Sequence, residues 1–154
     1  MLLLGPLYHL PEREDRLQAL REAGRVARRG APVFAAGISR YATLMDLGSD
    51  GRLTAELEPF VTELHATGRF RGGVVGFTTA YLHRPEELAA DLVDPGLRDV
   101  EVYGIEGPAG PTLRALGMGC LDERLDAAVR AARIVERDPA LIAASGHLLA
   151  VGIS

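Results

Sequence analysis

Three short stretches of this sequence hold side chains whose types and positions could do chemistry: "LYH" with Tyr8 and His9, "SRY" at Ser39, Arg40 and Tyr41, and "AYLH" with Tyr81 and His83. His9 changes charge near neutral pH, so it could orient a polar substrate or take a proton from it; the competing reading is that it bonds backbone at a helix entry. Tyr81 and His83 either point into the same pocket or pack an irregular lid. His65 and His147 read as surface or core residues. Cys120 has no activating neighbour in the sequence and reads as a small hydrophobe. The four histidines are scattered, with neither the i, i+4 spacing nor a Cys-x-x-Cys pair that zinc would require. "GIS" occurs twice, but never within the G-x-S-x-G turn of a serine hydrolase.

Strands and helices alternate along the chain and must place these residues. Leu2, Leu3 and Leu4 follow Met1 directly and read as a strand buried on both faces. A helix follows, with Pro11 at its first position, acidic residues in its first turn, Leu17, Leu20 and Ala27 on one face, and a basic end closed by Gly30. "PVFAAGI" at 32–38 is a second strand, and one intervening helix makes the two strands parallel neighbours. Residues 40–48 and 54–66 have helical spacing, whereas the glycine-rich 69–84 reads as a loop with a short extended piece. A helix at 85–96, a strand at 99–107, a helix at 122–137 with Asp122 as its cap and Leu125, Val129 and Ala132 facing inward, and a last strand at 147–153 complete the chain. Ligands of open α/β sheets bind at the carboxyl ends of the strands. This rule selects Gly5, Pro6, Tyr8 and His9 after the first strand, and Ser39, Arg40 and Tyr41 after the second.

Composition narrows the function classes. At 154 residues, 47% hydrophobic and 25% charged, the chain has the make-up of a single globular domain, residues 1–154, with an inserted region at about 40–84. A net charge of −4 argues against nucleic acid or an anionic membrane as partner, and all 17 basic residues are arginine, spaced as on solvated helix faces. A single cysteine suits a reducing, cytoplasmic setting, and neither a membrane span nor a basic leader is present in the sequence.

Taken in order, "LLLGPLYHL", the helix ending in a basic residue and Gly, "FAAGISRYA", "YLHRPEEL", "VEVYGIEGPAG" and "SGHLLAVG" resemble the C-terminal half of class I S-adenosylmethionine-dependent methyltransferases, over almost the whole chain. The resemblance implies an α/β fold: a partial Rossmann-like, doubly wound sheet matching the family's last four strands, the final strand antiparallel, with a helical insertion. It also implies a small-molecule methyl acceptor and S-adenosyl-L-methionine as cofactor of the complete domain. Leu4, Gly5 and Pro6 would touch the cofactor, and Tyr8, His9, Ser39, Arg40, Tyr41, Tyr81 and His83 would edge the acceptor pocket. The glycine-rich turn and the acidic ribose ligand of the family would lie upstream of Met1; "GMG" and "GIEGPAG" do not replace them. The expectation is therefore a chain that binds the cofactor weakly or not at all alone, and that pairs as a homodimer through its open first strand. The alternative is a non-catalytic half-domain that folds by association.

Overall fold

The computed structural model describes the backbone of residues 1–73, 76–117 and 122–154, and the side chains of these except Asp122 and Glu123. Its elements in chain order are β1 (Leu2–Leu3), α1 (Arg13–Val26), β2 (Pro32–Ser39), α2 (Ala42–Ser49), α3 (Glu58–Thr67), β3 (Arg69–Phe70), β4 (Ala80–His83), α4 (Pro85–Val93), β5 (Arg98–Gly104), α5 (Gly110–Leu116), α6 (Asp122–Val135) and β6 (His147–Ile153). Cys120 and the proposed cap interaction of the Asp122 side chain lie outside the described residues.

β2 is the hub of a mixed six-stranded sheet. Along one edge, β6 runs antiparallel to it over its full length, from Pro32 opposite Ile153 to Ile38 opposite His147. The other edge is shared end to end: β1 pairs in parallel with the first half, Leu2 opposite Phe34 and Leu3 opposite Ala35, and β4 pairs in parallel with the last residues, Ile38 opposite Leu82 and Ser39 opposite His83. β5 lies antiparallel beyond β6, and β3 antiparallel beyond β4. The parallel β1–β2 neighbours and the antiparallel last strand agree with the sequence expectation; the strand number does not. Six strands form instead of about four, because residues 69–84 contain a β3–β4 pair. Their glycines suggest a loop, but the unpaired end of β2 offers a row of donors and acceptors that makes extended backbone favourable there.

One face of the sheet is closed. Leu20 and Ala23 of α1 and Leu88 and Leu92 of α4 pack on Leu3, Val33, Ala35, Leu148 and Ala150, with Leu7 and Leu97 sealing the ends. Each fully buried leucine there contributes about 1.5–3 kcal/mol by removal from water. Pro11 sits outside α1, whose flanking cap residue is Glu12, and the helix keeps Glu14 and Asp15 in its first turn and Arg25 in its last, complementing its dipole. α4 begins on Pro85, and the Glu87 carboxylate accepts the Arg84 backbone N–H at 2.9 Å, closing its first turn.

The opposite face is only half covered: Phe34, Ala36, Ile38, Leu149, Val151 and Ile153 alternate with the buried set and remain partly exposed. α3 covers its β4 end through Leu64, Phe70, Ala80 and Leu82. At the other end α6 departs from expectation. Ala128 and Ala132 are buried, but Leu125 and Val129 are 44% and 49% exposed and line an open groove of about 680 Å³ between α5, α6 and Leu149. Small residues set that contact: a Cβ on Gly107 would lie 2.9 Å from the Ala132 backbone, so the helix seats on its alanine row rather than on its larger side chains. β1 also differs from a strand buried on both faces. Leu3 is in the core, while Leu2 and Leu4 are 63% and 55% exposed. Among the described residues no helix is long and apolar enough to cross a membrane.

Candidate functional site

The carboxyl ends of β1, β2 and β4 point the same way, because all three are parallel. Antiparallel β6 adds its amino end to the same rim, and its first residue, His147, stands opposite Ile38. Here a cleft of about 250 Å³ opens between apolar walls that include Ile38, Leu47, Phe70, Phe77 and Leu82, with Thr43, Asp46, Arg52, Arg114 and His147 as its polar side chains.

Beyond β1 the chain turns at Gly5 and Pro6 into a single 3-10 turn, Leu7–His9, anchored by the wholly buried Leu7. His9 remains exposed. Its ring lies 4.7 Å from Tyr8 and stacks at 6.1 Å on Phe77, which meets Phe70 edge-on at 5.6 Å. Phe77 thus joins the Leu4–His9 turn to the cleft.

Of the remaining residues singled out from sequence, Arg40, Tyr81 and His83 fall into a polar layer on the α1/α4 side of the sheet, whereas Ser39 and Tyr41 have other partners. Ser39 is buried and donates to the Ala143 carbonyl at 3.3 Å. Arg40 is buried; its Nε donates to the Leu82 carbonyl at 2.7 Å, Nη1 to the His65 carbonyl at 3.3 Å, and Nη2 to Tyr81 Oη at 3.1 Å and Glu87 Oε2 at 2.5 Å. Tyr41 accepts a hydrogen bond from Arg84 at 3.1 Å and packs on His65. The Tyr81 ring lies between two guanidiniums, Arg16 at 3.9 Å and Arg40 at 5.4 Å. Burial and the nearby Glu87 carboxylate raise the Tyr81 pKa, so its hydroxyl keeps its proton. His83, fully buried, has no hydrogen-bond partner on either ring nitrogen among the described residues; its Nε2 stands 3.5 Å from Asp91, beyond hydrogen-bond geometry.

Asp91 is the centre of that layer. Arg16 donates to its Oδ2 at 2.7 Å and Arg13 to its Oδ1 at 3.0 Å, so one α4 carboxylate ties down α1. Burial would raise the Asp91 pKa; the interactions with His83 and Arg16 outweigh it and hold the group below the usual carboxylate range. Burial drives the His83 pKa down. Both shifts have the same consequence for stability. The folded protein keeps His83 neutral and Asp91 ionised, whereas the unfolded chain takes up protons below about pH 6.5 at the histidine and below about pH 4 at the aspartate. Stability is therefore lost as pH falls. His83→Leu, which removes two unpaired buried nitrogens, is expected to leave neutral-pH stability unchanged or raise it by about 1 kcal/mol. It should also flatten the first part of the acid loss. Urea unfolding followed from about pH 8 to about pH 4 measures both effects, and an unaltered acid limb would contradict the assignment.

Sequence reasoning missed the residues that line the cleft with charge. The Glu106 carboxylate accepts the His147 backbone N–H at Oε2, 2.9 Å, and His147 Nδ1 at Oε1. Arg114 bonds Asp46 at 3.2 Å. The Glu106 interaction raises the His147 pKa against the effect of burial, and the same bonds lower that of Glu106, although burial alone would raise it. Burial raises the Asp46 pKa, opposed by Arg114. A signal for His147 was present: an antiparallel last strand puts its first residue at the rim where the parallel strands end. Among the described residues no group of three acidic, histidine or cysteine side chains is placed to hold a metal ion. No family model matches the chain, and no curated protein matches it.

Proposed function

We propose that this chain is the acceptor-side half of an S-adenosylmethionine-dependent methyltransferase domain acting on a small molecule. The observation that carries the reading is the strand order β1-β2-β6-β5 with an antiparallel β6 inserted between two earlier strands, together with a cleft at the carboxyl ends of β2 and β4. That is the order of the last four strands in the family the sequence resembles, and doubly wound sheets bind ligands at this end. Shared topology hosts many activities, so the cleft and not the fold carries the functional part.

The fit of the cofactor is partial. Leu4 is exposed, and a Cβ on Gly5 would meet nothing nearer than Tyr8 Oη at 3.7 Å, so the Leu4–Pro6 turn can form an apolar wall. It supplies no side-chain acceptor for ribose hydroxyls, and the sequence contains no glycine-rich turn between a strand and a helix with an acidic residue beyond it. Isothermal titration of the 154-residue chain with S-adenosylmethionine is expected to show no binding as tight as micromolar, about −8 kcal/mol. Micromolar affinity would mean that other residues replace those contacts. The function itself is tested by extending the chain with any in-frame coding sequence upstream of Met1 and assaying transfer of a labelled methyl group to small hydroxyl- or amine-bearing acceptors. Transfer supports the reading; a stop codon immediately upstream, or an extended chain that binds no sulfonium, favours the half-domain that acts by association.

One observation favours association under either reading. Met1, Leu2 and Leu4 present an exposed apolar row, and among the described residues β1 pairs with β2 alone. A second copy adding its own β1 in a two-fold arrangement would close that edge in one step. Leu3 belongs to the core, so charge introduced there would test folding; Leu4→Lys tests the edge. Light scattering at micromolar concentration is expected to give a dimer for the parent chain and a monomer for Leu4→Lys. A monomeric parent would remove the proposal.

A further inference from the structure

We propose that Glu106 and His147 form a base dyad that binds, in the cleft beside Phe77, a small single-ring molecule carrying an ionisable hydroxyl of the phenol class. The proposal deepens the methyl-transfer reading, in which this molecule is the acceptor, but its binding half stands on the cleft alone.

The dyad is fixed from two elements. β6 begins at His147, and the backbone N–H of that residue is held by Glu106 Oε2 at 2.9 Å while Nδ1 meets Oε1 of the same carboxylate. A carboxylate that accepts Nδ1–H sets the tautomer and leaves Nε2 as the nitrogen able to accept a proton, on a side chain that lines the cleft. The pair has no part in the core, and the His147 side chain keeps 46% of its surface exposed. A purely structural ion pair has no need of a cavity beside it; here the half-exposed His147 side chain lines one.

The cavity selects the ligand. At about 250 Å³ it falls just below the usual range of small-molecule sites, roughly 300–1,000 Å³, which suits one ring rather than two. Phe77, 39% exposed and held edge-on to the buried Phe70 at 5.6 Å, offers its ring to an aromatic ligand, and Ile38, Leu47 and Leu82 close the rest. A carboxylic acid would need a free arginine fork, and both arginines of the cleft are already paired, Arg114 with Asp46 and Arg52 with Asp50. An aliphatic alcohol is too weak an acid for an imidazole. A phenol matches: its proton passes from oxygen to Nε2, leaving a phenolate beside an imidazolium whose charge Glu106 neutralises. Glu106 strengthens His147 as a base, Asp46 on α2 assists it and Arg114 on α5 opposes it, and these are the charged groups acting on the ring from the elements around it. Binding falls where the pair carries two protons or none.

The probe is 4-nitrophenol, whose ionised form is coloured. Added to the 154-residue chain at a pH below its own ionisation, it is expected to bind saturably, to gain the phenolate colour, and to shift the imidazole proton resonances of His147 and not those of His65 or His83. His147→Gln should weaken binding roughly tenfold or more and remove the colour, as expected for loss of a charge-assisted hydrogen bond. Glu106→Gln should lower the His147 pKa read from the same resonances and reduce the colour at a given pH. Absence of saturable binding, or equal binding by His147→Gln with an unaltered circular dichroism spectrum, overturns the proposal. The resonance shift in the parent chain decides the matter even if a variant misfolds. Probe binding by a chain that never transfers methyl when extended would leave this site standing and remove the enzyme reading; methyl transfer without probe binding at His147 would do the reverse.

Discussion

Asp91→Ala is expected to lower stability by about 3–5 kcal/mol, a large part of what a domain of this size has. The reason is the partner left behind. Arg16 is 2% exposed, and its guanidinium is held by Asp91 Oδ2 at 2.7 Å and by the Leu10 and Pro11 carbonyls at 3.0 Å each, against the Tyr81 ring. Carbonyl dipoles and an aromatic face soften a buried positive charge but do not neutralise it. Removing the carboxylate therefore leaves an uncompensated ion, whereas removing both ions need not be costly. The double variant Arg16→Met with Asp91→Ala should recover most of the loss, as the excess over additivity in a double-mutant cycle. Urea unfolding at neutral pH gives all three values. A loss under about 1 kcal/mol for Asp91→Ala would show that water reaches Arg16 and that the layer is not a sealed ion pair.

Gly68→Ala is expected to cost about 2–5 kcal/mol, the sum of two separable effects. Gly68 ends α3 at φ +75°, in the left-handed region, where a side chain adds strain of about 1–2 kcal/mol. A Cβ there would also lie 2.4 Å from Arg40 Nη2 and 2.6 Å from Arg40 Cζ. Arg40 cannot swing away cheaply, because its guanidinium is anchored on Leu82, His65, Tyr81 and Glu87, and a shift breaks bonds to both β4 and α4. The Gly68 carbonyl itself accepts the Leu82 N–H at 2.8 Å, so the backbone is held as well. Gly30 is the internal control: it has φ +79° with open space around a would-be Cβ, and Gly30→Ala should show the backbone strain alone. Equal losses at the two positions, measured by thermal or urea unfolding, would show that Arg40 yields.

Much of the frame was legible because it rests on local physics. Period-two alternation in "PVFAAGIS" and "HLLAVGI" matches β2 and β6 closely, and the charged ends of residues 13–26 match a helix that must satisfy its own termini. Residues 69–84 were not legible in the same way. The paired strands Arg69–Phe70 and Ala80–His83 form where the end of β2 lies open, a fact no window of sequence contains. α6 shows the converse: its apolar spacing is clear, yet which residues of the stripe are buried depends on how closely Gly107 lets it approach.

For the site the division is sharper. Residue types and the rule that ligands sit at the carboxyl ends of strands lead from the sequence to the rim of the sheet where the cleft opens, and to Tyr8 and His9 beside it. Alternation of side chains then separates neighbours: Leu82 lines the cleft while Tyr81 and His83, on either side of it in β4, go to the buried layer with Arg16, Arg40 and Asp91. Arg13 and Arg16 stand more than seventy residues from Asp91 in the chain, and Glu106 about forty from His147. Local composition determined the strands, the helices and the sheet class, since backbone bonding and apolar periodicity act over a few residues; the ion pair in the core and the dyad in the cleft were decided by tertiary structure, since charges so far apart in sequence meet only once the sheet has set their positions.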